Sequence, residues 1–545
     1  MKRTKKVLAL LLSLCLAATM MAGCGGGDDS ADNGDGSSGG DKKRITYANG
    51  AQPEAMDPVS SVYAKYSILK YNIYCGLARI SEDGVAELGY ADDYTVNDDM
   101  TVWTFHIREG SKFSDGSDLT AHDWVETMKY HCAPETAARS TTMEEYVLNM
   151  TEYVAGECEW EDVGFKALDD NTLEITLAFP CTYFLDVACT YVPYKVDVIK
   201  ENPNWAKNPE TYITNGPFRI VELNDQVNVL LEKNPYYYDA ENVAIDEVNF
   251  VFLDDPAVEL AAYKNNEIQV SDNLSAESIK TYRDTDEMIA AERIGVNYLT
   301  VNTNRISDNR IRKALAYSIN KDALIQILGS TNLPATGLVP YGIHWGDEQW
   351  RDKAGDLVTY DIELAKQLLA DAGYPGGEGL PTYKYVTQND EESVNKAQAL
   401  QSMWKEVGIN TEIVTFEPST YWDVFDTEDW DIAADGWTGD YDDPNTNLFL
   451  WEAYREQDPD GTLKDARWVN EAAAEYDRLM KETYTELDYE TRMNLFVEAE
   501  KVLVDDMPIL PVFFYTDTML VKPEVTGVLK CYIGHVFFQY ADIVE

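Results

Sequence analysis

From about residue 300 to residue 510 the sequence alternates between a helical period and a strand period, and few folds can accommodate that. Ser307 or Asp308 can cap a helix whose Ile311, Ala314, Leu315 and Ile319 fall on one face. Asp361 to Ala372 repeats the pattern with Leu364, Leu368, Leu369 and Ala372 turned inward, and Gly373 and Pro375 stop it. Val394 to Val407 is a third such helix, ended by Gly408, and Ile409 to Phe416 then reads as a strand. Striped helices and half-buried strands can hide their apolar faces only by stacking in layers, so this region predicts an α/β lobe. Arg310, Arg312 and Lys313 lie at a spacing that reads as the solvated face of the first helix.

The earlier chain carries weaker signals of the same kind. Ile45 to Ala48 predicts a strand and Tyr66 to Leu77 a helix, while Val102 to Ile107 and Thr172 to Leu177 alternate like half-buried strands. Thr120 or Asp118 can cap a helix over Ala121 to His131. Some 500 residues are too many for one core of ordinary size, which implies two or three lobes.

The N-terminus reads as an export signal over residues 1–23. Lys2, Arg3, Lys5 and Lys6 form a basic head, and Val7 to Ala18 is an apolar run too short to span a membrane. Met21-Ala22-Gly23-Cys24 resembles a bacterial lipoprotein lipobox, which implies cleavage before Cys24 and a lipid on its sulfur. Residues 24–43, rich in Gly, Ser and Asp, read as a flexible tether. The formal charge is −52, a field that repels nucleic acid. Cys75, Cys132, Cys158, Cys181, Cys189 and Cys531 show no C-x-x-C spacing, which argues against zinc and thioredoxin-type chemistry; buried free thiols are expected, with disulfide pairing of some outside the cell as the alternative.

One stretch looks built to hold something. Residues 430–445 read W-D-I-A-A-D-G-W-T-G-D-Y-D-D-P-N, a short strand that is expected to break at Gly436. Gly436 and Gly439 permit a sharp turn or a close approach to a ligand. Trp437 offers an apolar platform, and Asp440 can accept a charge-assisted hydrogen bond from an ammonium group. A solvated acidic turn is the competing reading. Catalytic signatures are missing: there is no G-x-S-x-G, P-loop or H-E-x-x-H, and the five histidines have no metal spacing.

A family resemblance bears on the choice. The run W-T-F-H-I-R-E-G-S-K-F-S-D-G-S-D-L-T-A-H-D-W at 103–124 resembles the signature of the peptide and oligopeptide class of extracytoplasmic solute-binding proteins that serve ABC importers. A-M-D-P at 55–58, A-L-D-D-N-T-L-E-I-T-L at 167–177, T-N-G-P-F-R-I at 214–220 and K-N-P-Y-Y-Y at 233–238 are similar as well. So are N-E-I at 266–268, the run at 301–321 and A-K-Q-L-L-A-D-A-G-Y at 365–374, all in the family's order. The resemblance implies a periplasmic-binding-protein-like α/β clamshell of two main lobes and an additional third one. Lobe I would take residues 44–74, 206–294 and 513–545, lobe II residues 75–205, and lobe III residues 295–512. Val512 to Tyr515, running on to Leu520-Val521, would carry the chain back into lobe I.

By the same resemblance, Asp440 in G-W-x-x-D pairs with the α-ammonium group of a peptide. Gly436, Trp437, Thr438 and Tyr441 surround the ligand, and Tyr63, Tyr146 and Lys396 are further candidates. It also implies a monomer with no cofactor or metal that hands peptides to an ABC permease. The sequence departs from the family at the ligand's other end. Ser393 stands where one relative has a His, and Ala434-Asp435 replaces a basic residue before G-W. That leaves Lys396, His344 and Arg351 as candidate partners for the ligand carboxylate. Binding of a sugar or metal chelate, and a lipid-anchored carboxylate hydrolase, are the alternatives.

Overall fold

The computed structural model of the chain describes residues 42–53, 55–61, 64–138, 144–452 and 468–544. Cys24 and Tyr63 lie outside the described residues.

The backbone of the structure is a sheet of eleven strands. Its members along the chain include β1 (Arg44–Ala48), β2 (Phe218–Asn224), β3 (Asn228–Lys233), β4 (Glu247–Val251), β5 (Val270–Ser271) and β6 (Met288–Val301). They continue with β7 (Tyr383–Gln388), β8 (Thr411–Phe416), β9 (Ile432–Thr438) and β10 (Ile509–Val521). In space the order is β8-β7-β9-β6-β10-β5-β1-β4-β3-β2, with Leu333–Pro334 added beside β10. The long strands β6 and β10 therefore sit at the centre and join the two halves.

Their pairing changes along their length. Met288–Glu292 of β6 faces Leu520–Thr516 of β10, and after a bulge Val296 faces Phe514. From Gly295 onward the other edge of β6 pairs with β9. An extra residue in one strand bends it and sharpens its twist, so the bulge sits where the sheet passes from one half to the other. A separate four-stranded sheet (Ala91–Val96, Val102–Ile107, Thr172–Thr176, Phe165–Ala167) covers part of the 75–205 region. One large apolar cluster runs from Ile45 through Trp103 and Phe184 to Phe538. A second packs helices 309–317, 362–371 and 391–406 against β6–β10, with Leu315, Leu369 and Trp404 buried. The result is a multi-lobed α/β clamshell.

Local signals predict these elements well. Of the paired cap candidates, Asp308 accepts the N-cap hydrogen bond and Thr120 forms a capping box with Asp123, and Asp361 caps its helix in the same way as Asp308. Other expectations need correcting. The helix read over Tyr66–Leu77 spans Ala64–Ile73, and Leu364, expected inward, is exposed. Arg312, expected on a solvated face, is buried. Its guanidinium donates to the carbonyls of Asp506 at 2.6 Å, Ile306 at 2.8 Å and Ser307 at 2.9 Å, and pairs with the Asp506 carboxylate. It thereby satisfies orphan carbonyls at the C-terminus of helix Tyr489–Asp506. Among the described residues the six cysteines are free thiols, buried except for the half-buried Cys158, and no helix is long and apolar enough to cross a membrane.

Candidate functional site

Strand β9 does not break at Gly436; it runs on to Thr438 against β6, with Gly436 opposite Asn297, Trp437 opposite Val296 and Thr438 opposite Gly295. Neither Gly436 nor Gly439 has left-handed backbone. Both are needed for close approach. A Cβ on Gly436 would lie 2.8 Å from the Tyr515 hydroxyl, and one on Gly439 would lie 2.6 Å from Thr446 Cγ2. The sequence signal of two glycines was real, but its cause is the packing of Tyr515 and Thr446.

Asp440 follows directly. The Gly439 N–H donates to the Ile294 carbonyl at 2.7 Å, and the Asp440 N–H donates to Thr446 Oγ1 at 2.9 Å. The Asp440 side chain stays open to solvent on the wall of a cavity also lined by Tyr71, Arg79, Asp186, Tyr532 and His535. Partial loss of solvation pushes the Asp440 carboxyl pKa up, and the Glu145 carboxylate pushes it further. A cation placed there relieves both. Trp437 meets Phe449 edge-on at 5.8 Å, and its buried indole N–H has no partner among the described residues.

A second polar group lies on the same strand pair. Asn297 donates to the Tyr515 hydroxyl and to the Asp435 carbonyl, each at 3.1 Å, and accepts from Lys396 Nζ at 3.0 Å. Lys396 is buried, and among the described residues it has no carboxylate within ion-pair distance. Burial lowers its pKa to about 8 despite the distant Glu392, Asp390 and Asp435. Lys321, also buried, differs because its ammonium donates to two carbonyls, those of Ala335 and Val358.

The remaining candidates separate. Tyr441 and Tyr146 are buried, packed against one another and against Tyr183. His344 is engaged by Asp442 at 2.6 Å. Arg351 is held bidentately by Glu500 at 2.8 Å for each bond, within the protein interior. Ser393 sits in the first turn of helix Glu391–Glu406, its N–H held by Asp390. The sequence reading missed Asn297, Tyr515 and Glu145. A signal existed for the first: an amide interrupting the apolar run from Ile294 to Val301.

Residues 86–458 match the family described as bacterial extracellular solute-binding proteins, family 5 Middle. The chain is 28% identical over 559 residues to the oligopeptide-binding protein OppA of Bacillus subtilis, covering 99% of both chains. Among solved structures, an unliganded open form of the periplasmic murein tripeptide-binding protein MppA superposes with a TM-score of 0.81. It shares 23% identity over 93% of this chain and 98% of that one. Haemophilus influenzae OppA in complex with RPPGFSPFR gives a TM-score of 0.66 at 25% identity, covering 93% of this chain and 100% of that one.

Proposed function

This chain belongs to the bacterial extracellular solute-binding proteins, family 5, and from that premise we propose that it is a peptide receptor that captures its ligand between lobes and delivers it to an ABC importer, without doing chemistry on it. The observation that carries this reading is the Asp440 carboxylate, open to the cleft and already destabilised as an anion by its surroundings. A ligand ammonium is the natural counter-charge for such a group. The Trp437 indole N–H, without a partner among the described residues, and the buried Lys396 support it, the first as a donor to a peptide carbonyl and the second as a partner for a ligand carboxylate. Peptide-binding relatives lend the same weight. Gly436 and Thr438 serve as the strand backbone beside which an extended peptide lies.

In this reading β6 and β10 are the hinge, with lobe I drawn from residues 44–74, 206–294 and 513–545, lobe II from 75–205, and lobe III from 295–512. Cys24 carries the lipid that holds the receptor at the outer face of the membrane, and Tyr63 is a further candidate contact to the ligand. Replacing Cys24 by Ser is expected to release the protein or leave its precursor uncut; firm membrane attachment after a high-salt wash would contradict the anchor.

The functional test is a thermal-shift series over di- to octapeptides, sugars and nickel chelates. A ligand that binds only the folded state raises apparent stability by about 2.7 kcal/mol at a hundred times its Kd. Shifts confined to peptides are expected. Shifts only with sugars or chelates, or cleaved peptide in the mixture, overturn the proposal.

A further inference from the structure

Three tyrosine rings clamp the segment that carries Asp440 to a distant part of the chain. Tyr183 and Tyr441 stack with centroids 4.4 Å apart and planes 9° from parallel. Tyr146 stands edge-on to both, at 6.1 and 6.4 Å. Asn445 Nδ2 donates to the Tyr441 hydroxyl at 3.0 Å and to the Tyr183 hydroxyl at 3.3 Å, locking the two rings in register. Arg492 lies 5.6 Å from the centre of the Tyr183 ring and forks onto Asp443 at 2.6 and 3.0 Å. All three tyrosines are more than nine-tenths buried.

This arrangement has a consequence for the neighbouring residue. Asp440 lies between two anchors: the hydrogen bonds of Gly439 and Asp440 to Ile294 and Thr446 on one side, and the Tyr441 ring on the other. Without the stack, the irregular turn from Gly439 to Pro444 would keep the first anchor, the Asp443 fork and the Asp442 carboxylate's bonds to His344 at 2.6 and 2.7 Å, but the residue next to Asp440 would lose its ring contact. An aromatic pair contributes stabilisation beyond its buried area, enough to shift a loop's population several-fold. A carboxylate that must meet a ligand charge gains affinity from being held in place beforehand.

We propose that Tyr183 is a positioning residue for ligand recognition, fixing the Asp440 carboxylate through Tyr441 without touching the ligand. The proposal rests on the peptide reading above. It predicts a loss that follows the ligand's ammonium group rather than the ligand as a whole. A purely structural stack predicts a lower melting temperature with no such selectivity.

The test uses the full chain, titrated calorimetrically with tetra-alanine and with N-acetyl-tetra-alanine. Tyr183→Leu keeps apolar bulk and removes the stack; Tyr183→Phe keeps the ring. Tyr183→Leu is expected to weaken tetra-alanine about five- to tenfold and to leave the acetylated peptide within about twofold, with Tyr183→Phe close to the parent. Equal losses on both peptides, no loss at all, or a Phe variant as weak as Leu would each overturn the proposal. Should Tyr183→Leu fail to fold, Tyr183→Met is judged by the same criteria. A parent protein that binds both peptides equally well removes the Asp440 reading itself and takes this proposal with it.

Discussion

The Gly439 amide and the Ile294 carbonyl meet at 2.7 Å, so the loop that bears Asp440 hangs from the strand joining the two halves of the sheet. A methyl group on Gly439 would approach Thr446 Cγ2 to 2.6 Å and Thr446 Oγ1 to 3.0 Å, and that oxygen holds the Asp440 N–H. Gly439→Ala is expected to cost about 1–3 kcal/mol of stability and to weaken free-amine peptides. Thermal melts and calorimetry check this; an unchanged melting temperature with unchanged affinity contradicts it.

Lys396 gives a prediction with opposite signs for stability and binding. Its folded pKa, about 8, lies below the ordinary lysine value. The unfolded chain then binds more protons between about pH 8 and 10.5. Stability rises with pH across that window, and the cost of the buried charge is fully present below it. Lys396→Met is expected to stabilise the protein by about 1–3 kcal/mol at pH 7, a gain that fades toward pH 10. The same change weakens peptides with a free carboxylate and spares their amides. A destabilised variant, or equal losses for acid and amide, contradicts the assignment.

Asp186 tests the junction behind the site. Burial, reinforced by the Asp442 carboxylate, raises its pKa to about 7, while the Tyr532 hydroxyl donates to it at 2.9 Å. The folded state thus holds a proton that the unfolded chain releases between about pH 4 and 7. Stability falls as pH rises through that range, and the cost is full above it. Asp186→Asn keeps an acceptor for Tyr532. It is expected to raise stability by about 1–4 kcal/mol at pH 8 and to change little at pH 4. An equal effect at both values rules out titration of this group.

Much of this architecture was legible because it is written in local periods and caps. Asp308 and Thr120, each one of two candidate caps, start their helices, and Ile432-Ala433 begin a strand. What was not legible depends on partners brought from elsewhere in the chain. Arg312 is buried because the end of helix Tyr489–Asp506 arrives with unpaired carbonyls. Gly436 is tight because Tyr515 crosses it. The packing of Tyr441 and Tyr146 against Tyr183 is of the same kind, since Tyr183 comes from far along the chain. No pattern within ten residues of Tyr441 could have announced that partner.

The most direct test of the central claim is the binding of tetra-alanine and its N-acetylated form to the parent and to Asp440→Asn. Asparagine keeps the shape and removes the counter-charge. The parent is expected to prefer the free amine, and Asp440→Asn to lose about 2–5 kcal/mol on it, roughly 30- to several-thousand-fold. The acetylated peptide is expected to lose little more, so the two changes couple strongly. An Asp440→Asn protein that binds tetra-alanine as tightly as the parent would contradict the account.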